Sequence, residues 1–119
     1  MEVCTLEGIQ IARLAVAAAS DKQANDIILL DTRKLMALAD YFVVCSGESD
    51  KQLRAIEDEV EHKLKQAGAS LLHQEGTPDS GWILLDYGDV IVHIFSAPER
   101  QYYRLEELWN KAALVLRVQ

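Results

Sequence analysis

Cysteine, long apolar runs and positive charge are all in short supply in this chain. Cys4 and Cys45 are its only two cysteines. Two cannot build a disulfide framework, and neither belongs to a C-x-x-C pair. Cys45 stands in an apolar run and reads as a small buried hydrophobe. This usage fits a reducing compartment such as a cytosol. The longest uncharged apolar runs, such as "IILL" and "YFVVC", are far too short to cross a bilayer. The opening "MEVCTLEGIQIARLAVAAAS" is apolar in part, but acids stand where a signal peptide would be positive. It is expected to form a helix of the mature protein. The net charge is −7, which disfavours independent binding to nucleic-acid phosphates. An acidic domain better suits a basic protein partner, because opposite charge speeds encounter. No P-loop, HExxH or G-x-S-x-G is present.

What is there suits one domain spanning residues 1–119. Half the residues are apolar, an ordinary globular balance. Residues 5–20 predict a helix, with Leu6, Ile9, Val16 and Ala19 at helical spacing and Thr5 as its cap. "DIILLD", 26–31, and "YFVVCS", 41–46, predict buried strands. "TRKLMALAD" between them reads as a loop with a helical turn. Ser49 and Gln52 predict a capping box. Leu53, Ile56, Val60, Leu64 and Ala67 mark the buried face of the helix that follows, and Gly68 ends it. Glu59 with Lys63, and Glu61 with Lys65, support its exposed face. A short strand near 70–74 and a loop "EGTPDSG" come next. "SAPE" predicts a second capping box on Ser96 and Glu99, with Pro98 in the first turn. The helix "RQYYRLEELWNKAA" follows, and the tail "LVLRVQ" is expected to extend or fray it. The order implies an α/β fold: a mixed sheet flanked by helices. The two early strands lack a helical crossover, which argues against a dinucleotide-binding fold.

"GWILLDYGDVIVHIF", residues 81–95, predicts a hairpin. With Tyr87 and Gly88 as its two-residue turn, Asp86 faces Asp89, Leu84 faces Ile91 and Trp82 faces His93. A three-residue turn with Gly88 as a bulge would shift these pairs by one. In the first register one face carries Trp82, Leu84, Asp86, Asp89, Ile91 and His93. The other carries Ile83, Leu85, Val90 and Val92, a core face. Three readings compete for the mixed face. The carboxylates would suit Mg²⁺ and His93 an acid–base role. "SGES" before a helix resembles the nucleotidyltransferases, but those place paired acids in D-x-D spacing on a strand. Here the spacing is D-x-x-D across a turn, with no Lys or Arg in the hairpin to meet a triphosphate. A purely structural reading makes Trp82 a core residue and His93 a satisfied sheet histidine. The reading favoured is a docking surface, with Trp82 and Tyr87 as anchors and the acids meeting a basic partner.

Three segments carry a resemblance to a known family: "DTRKLMALADYFVVCSGESDKQLRAIEDEV", "GWILLDYGDVIVHIF" and "ERQYYRLEELW". In order and spacing the chain resembles the ribosomal silencing factors, also called the Iojap family. The resemblance covers most of residues 26–109. It implies a nucleotidyltransferase-like α/β fold without the catalytic acids, no enzymatic activity, no cofactor and no metal.

It also implies a translational repressor that binds the large ribosomal subunit through ribosomal protein L fourteen. Its bulk would then block the small subunit, lowering protein synthesis when nutrients are scarce. A role in large-subunit maturation is the alternative. The partner-binding residues it implies are Trp82, Asp86, Tyr87, Asp89, His93, Arg100 and Tyr103. Asp40, Tyr41 and Gly47 match family positions as well, Asp40 fixing the start of a strand and Gly47 serving the turn before the helix. For Arg100 and Arg104 a solvated helix start is the competing explanation. Relatives act in mitochondria and chloroplasts. With no basic amphipathic presequence in this chain, a bacterial cytoplasm is expected. No membrane association is expected, and a homodimer of the free protein is left open.

Overall fold

The structure, a computed structural model, describes residues 7–34, 39–103 and 113–118, with only the backbone of 101–103. Helix α1 (Gly8–Asp21) leads to β1 (Asn25–Asp31) and β2 (Tyr41–Gly47). Helix α2 (Asp50–Gln66) then precedes β3 (His73–Thr77) and a 3₁₀ turn (Pro78–Ser80). The hairpin β4 (Trp82–Asp86) and β5 (Val90–Ser96), helix α3 (Ala97–Tyr103) and β6 (Ala113–Val118) complete the chain. The six strands form one sheet in the order β3-β4-β5-β2-β1-β6. β2 and β5 pair in parallel, and the other neighbours pair antiparallel. The sheet is therefore mixed, as the sequence implies. Among the described residues no helix is long and apolar enough to cross a membrane.

Alternation along the strands divides the core. Ile27, Leu29, Val43, Cys45, Ile83, Leu85, Val92 and Ile94 face α1 and α2 in the main cluster. Ile28, Leu30, Ala39 and Phe42 form a smaller one on the opposite face, with Ile91 against it. Every residue of the central strand β2 is buried, which explains its unbroken apolar pattern. In α2, Leu53, Ile56, Val60 and Leu64 are all fully buried. Truncating Leu53, Ile56 or Leu64 to Ala should cost about 2–5 kcal/mol.

Local chemistry fixes the helix starts. Gln10 accepts from the Glu7 backbone N–H at 2.8 Å, so α1 begins at Gly8. Thr5, the expected cap, lies outside the described residues. Ser49 caps α2, accepting from Gln52 N–H at 3.1 Å. The Gln52 side chain, expected to bond back to the cap residue, instead accepts from Glu48 N–H at 2.7 Å. Its amide also donates to the Lys22 and Gln23 carbonyls at 3.2 and 3.0 Å. It thereby ties α2 to the turn after α1. A Cβ on Gly47 would sit 3.0 Å from Leu53 Cδ2, so this glycine serves close helix approach.

Three expectations are corrected. The tail does not extend a helix: residues 113–118 form β6, antiparallel to β1. "ALVLRV" is rich in branched apolar residues, and β1 offers it an unpaired edge. The strand expected near 70–74 runs from His73 to Thr77, so "EGT" is strand rather than loop. The hairpin register is shifted by two residues from the two-residue turn first drawn, as its pairs show below. Residues 104–112 of the expected last helix, and Leu35–Leu38 of the expected helical turn, lie outside the described residues.

Candidate functional site

The hairpin turn is Gly88-Asp89, not Tyr87-Gly88. Tyr87 N–H donates to Val90 O at 2.8 Å across it. Gly88 has φ +88°, whereas Tyr87 keeps an ordinary negative φ. A glycine at the first central position suits a two-residue hairpin turn, and an aromatic residue with positive φ would be strained. The Asp86 carboxylate accepts from Gly88 N–H at 2.8 Å and braces the turn. The pairs are thus Asp86 with Ile91, Leu84 with His93 and Trp82 with Phe95. A two-residue shift leaves each side chain on its expected face. Trp82, Leu84, Asp86, Ile91 and His93 still share one face, with Phe95 added.

On that face the rings form a stack. Trp82 lies 5.8 Å from Phe95 with the planes 6° apart. His93 lies 6.0 Å from Phe95 and 6.1 Å from Trp82, nearly parallel to both. Phe42 meets the imidazole at 4.9 Å, tilted by 47°. Trp82 Nε1 donates to His93 Nδ1 at 3.3 Å. His93 and Phe95 are buried, whereas Trp82, Leu84 and Asp86 remain partly exposed. Burial alone pushes the His93 ring down from its ordinary 6.5 to about 4. The ring is therefore neutral at physiological pH. Beside Trp82 a cleft of about 210 Å³ is lined by Glu75, Gly76, Ser80, Trp82 and Leu84. A partly exposed indole and the Glu75 carboxylate at one cleft are suited to a basic side chain.

The other implied residues are scattered. Asp89 is exposed at the turn. Its carbonyl accepts from Asp40 N–H at 2.7 Å and Tyr41 N–H at 3.0 Å. Asp40 therefore fixes the start of β2 through its backbone. Tyr87 points to the helical side and is 7% exposed. Its hydroxyl has no hydrogen-bond partner among the described residues. Burial, and then the Glu61 charge, push that phenol up. Tyr87 also lines a groove with Glu61, Lys65 and Leu71 on the far side of the sheet from Trp82.

Arg100 is buried rather than a solvated helix start. Its Nη1 donates to Asp26 O at 2.6 Å, and Nη2 lies 3.5 Å from the Asp26 carboxylate. Arg117 grips the same carboxylate at 2.8 and 3.0 Å. The side chains of Tyr103 and Arg104 lie outside the described residues. The hairpin face thus unites Trp82, Asp86 and His93, with Asp89 at its tip. Tyr87 and Arg100 are directed elsewhere.

Sequence reasoning missed Phe95 and Glu75. The glycine preference at the first turn position would have supplied the register that brings Phe95 beside Trp82. Glu75 stood in a stretch read as loop. Among the described residues no three His, Cys, Asp or Glu side chains cluster as a metal site. Cys45 is fully buried, and burial drives its thiol up to about 12, so it is no nucleophile.

A mixed six-stranded sheet with α1 and α2 on one face and the aromatic-acidic side of the hairpin on the other defines an α/β domain with a partly exposed patch. The family model described as "Ribosomal silencing factor during starvation" matches residues 5–119. The chain belongs to the ribosomal silencing factor family. It is 44% identical over 104 residues to a ribosomal silencing factor of Bacillus subtilis, covering 87% of this chain and 88% of that one. It is 33% identical to the chloroplastic Iojap protein of Zea mays, over 89% of this chain and 46% of that longer protein. A crystal structure of a Chromobacterium violaceum protein superposes with a TM-score of 0.85 at 40% identity, covering 88% of each chain. One from Bacillus halodurans gives 0.76 at 35% identity, covering 93% of this chain and 98% of that one.

Proposed function

We propose that this protein is a translational repressor without enzymatic activity. It docks on the large ribosomal subunit through ribosomal protein L fourteen and blocks the small subunit by occupying its space. The observation that carries the reading is the partly exposed indole of Trp82, backed by buried rings, with Glu75 beside it in the cleft and Asp86 and Asp89 at the turn end of the same hairpin. Aromatic anchors with acidic surroundings, in a chain of net charge −7, favour a positively charged partner. Family membership and the names of the relatives agree with ribosome association. The protein would act in the cytoplasm of a bacterium.

Trp82, Asp86 and Asp89 make the contact, and Tyr103 adds to it from α3. His93 backs the face from within, whereas Tyr87 and Arg100 serve the fold rather than the contact. A standard interface needs roughly 800 Å² per partner, which one small ribosomal protein can offer. Trp82→Ala should weaken co-sedimentation with large subunits by about 2 kcal/mol, some thirtyfold in Kd. A folded variant that binds with parental affinity would remove Trp82 as the anchor.

A further inference from the structure

We infer that His93 is the positioning residue that presets the Trp82 indole for docking; this rests on the reading of Trp82 as the anchor. His93 is only 5% exposed, so it cannot itself offer a surface to a partner. Its Nδ1 accepts the Trp82 indole N–H at 3.3 Å. The bond requires an unprotonated Nδ1, which in the neutral ring puts the hydrogen on Nε2. Nε2 is buried without a hydrogen-bond partner among the described residues.

An unpartnered buried polar group lowers stability. The ring is surrounded by Phe42, Phe95 and Trp82, a setting in which phenylalanine would pack well. The feature that distinguishes histidine here is the acceptor nitrogen, and that nitrogen meets the indole. Stacking on Phe95 fixes the indole plane, and His93 fixes its edge. The exposed part of Trp82 then meets a partner with its rotamer already chosen, which lowers the ordering cost of binding.

The test uses the full chain, ¹⁵N-labelled, with the Trp82 indole signal assigned by its loss in Trp82→Phe. Two quantities are read: solvent exchange of that indole proton, and affinity for purified large ribosomal subunits. His93→Phe keeps an aromatic ring but removes the acceptor. His93→Asn places an acceptor oxygen where Nδ1 stood. His93→Phe should speed indole exchange and weaken binding, each on the order of tenfold, and His93→Asn should recover most of both.

Parental exchange or parental affinity in His93→Phe would overturn the inference. So would His93→Asn binding as weakly as His93→Phe, since a space-filling role predicts that result. Full affinity in Trp82→Ala would overturn the docking reading alone. The exchange rate in His93→Phe would still decide whether the histidine holds the indole.

Discussion

Arg100 and Asp26 join three parts of the fold at one point. The guanidinium of α3 donates to the Asp26 carbonyl at 2.6 Å and lies 3.5 Å from its carboxylate, which Arg117 of β6 also holds. Asp26 has φ +45°, next to a register shift between β1 and β2. Asp26 is partly exposed and Arg117 still holds its carboxylate, so losing the buried Arg100 chiefly leaves the Asp26 carbonyl without its donor. Arg100→Met should therefore destabilise the fold by about 2 kcal/mol, read as a lower urea midpoint with an unchanged m-value. A change below about 0.5 kcal/mol would mean that the arginine is an ordinary surface group.

His93 makes stability depend on acid. Its ring titrates near 6.5 when unfolded and about 4 in the fold, because burial opposes the charge. Between these values the unfolded chain takes up a proton that the fold refuses. Stability should thus fall as pH drops from 6.5 to 4, by at most about 3 kcal/mol. Urea titrations across that range, compared with His93→Phe, isolate this share. Equal acid sensitivity in both proteins would assign it to other groups.

Tyr87 is a buried aromatic residue on the helical side of the sheet. The residue packs with the main core, and its oxygen has no partner among the described residues. Tyr87→Phe removes an unsatisfied group while keeping the ring. It should raise stability by about 1 kcal/mol, seen as a higher Tm. A clear loss would show that the oxygen has a partner in solution.

Asp86 combines two roles that substitution can separate. Its carboxylate braces the turn through Gly88 N–H, and its charge borders the docking face. Asp86→Asn keeps an acceptor, so stability should hold while association with large subunits slows at low salt. Asp86→Ala should in addition cost about 1 kcal/mol of stability. If Asp86→Asn associates at the parental rate in low salt, the charge plays no part in encounter.

Much of this architecture was legible in the sequence because it is local. Ser49 declares a helix start by its own hydroxyl, and Leu53, Ile56, Val60 and Leu64 declare a buried face by spacing. The hairpin faces were legible too, since period-two alternation survives a two-residue slip. The register was not, although Gly88 held the signal in its positive φ.

What remained hidden depends on distant partners. β6 pairs with β1, some ninety positions away, and an isolated "LVLRV" does not announce its edge. Arg100 looks like a solvated helix start until β1 places the Asp26 carbonyl over it. The family resemblance carried Tyr87, His93 and Arg100 as residues for a partner. Burial in the fold turns them inward, and only Trp82, Asp86 and Asp89 face outward among those whose side chains are described.

The most direct measurement is subunit joining followed by sedimentation. Purified large subunits are mixed with small subunits, with and without the protein, alongside Trp82→Ala. The account predicts fewer joined ribosomes with the parent protein, which then travels with free large subunits, and near-normal joining with the variant. Undiminished joining while the parent protein stays bound to the large subunit would contradict it.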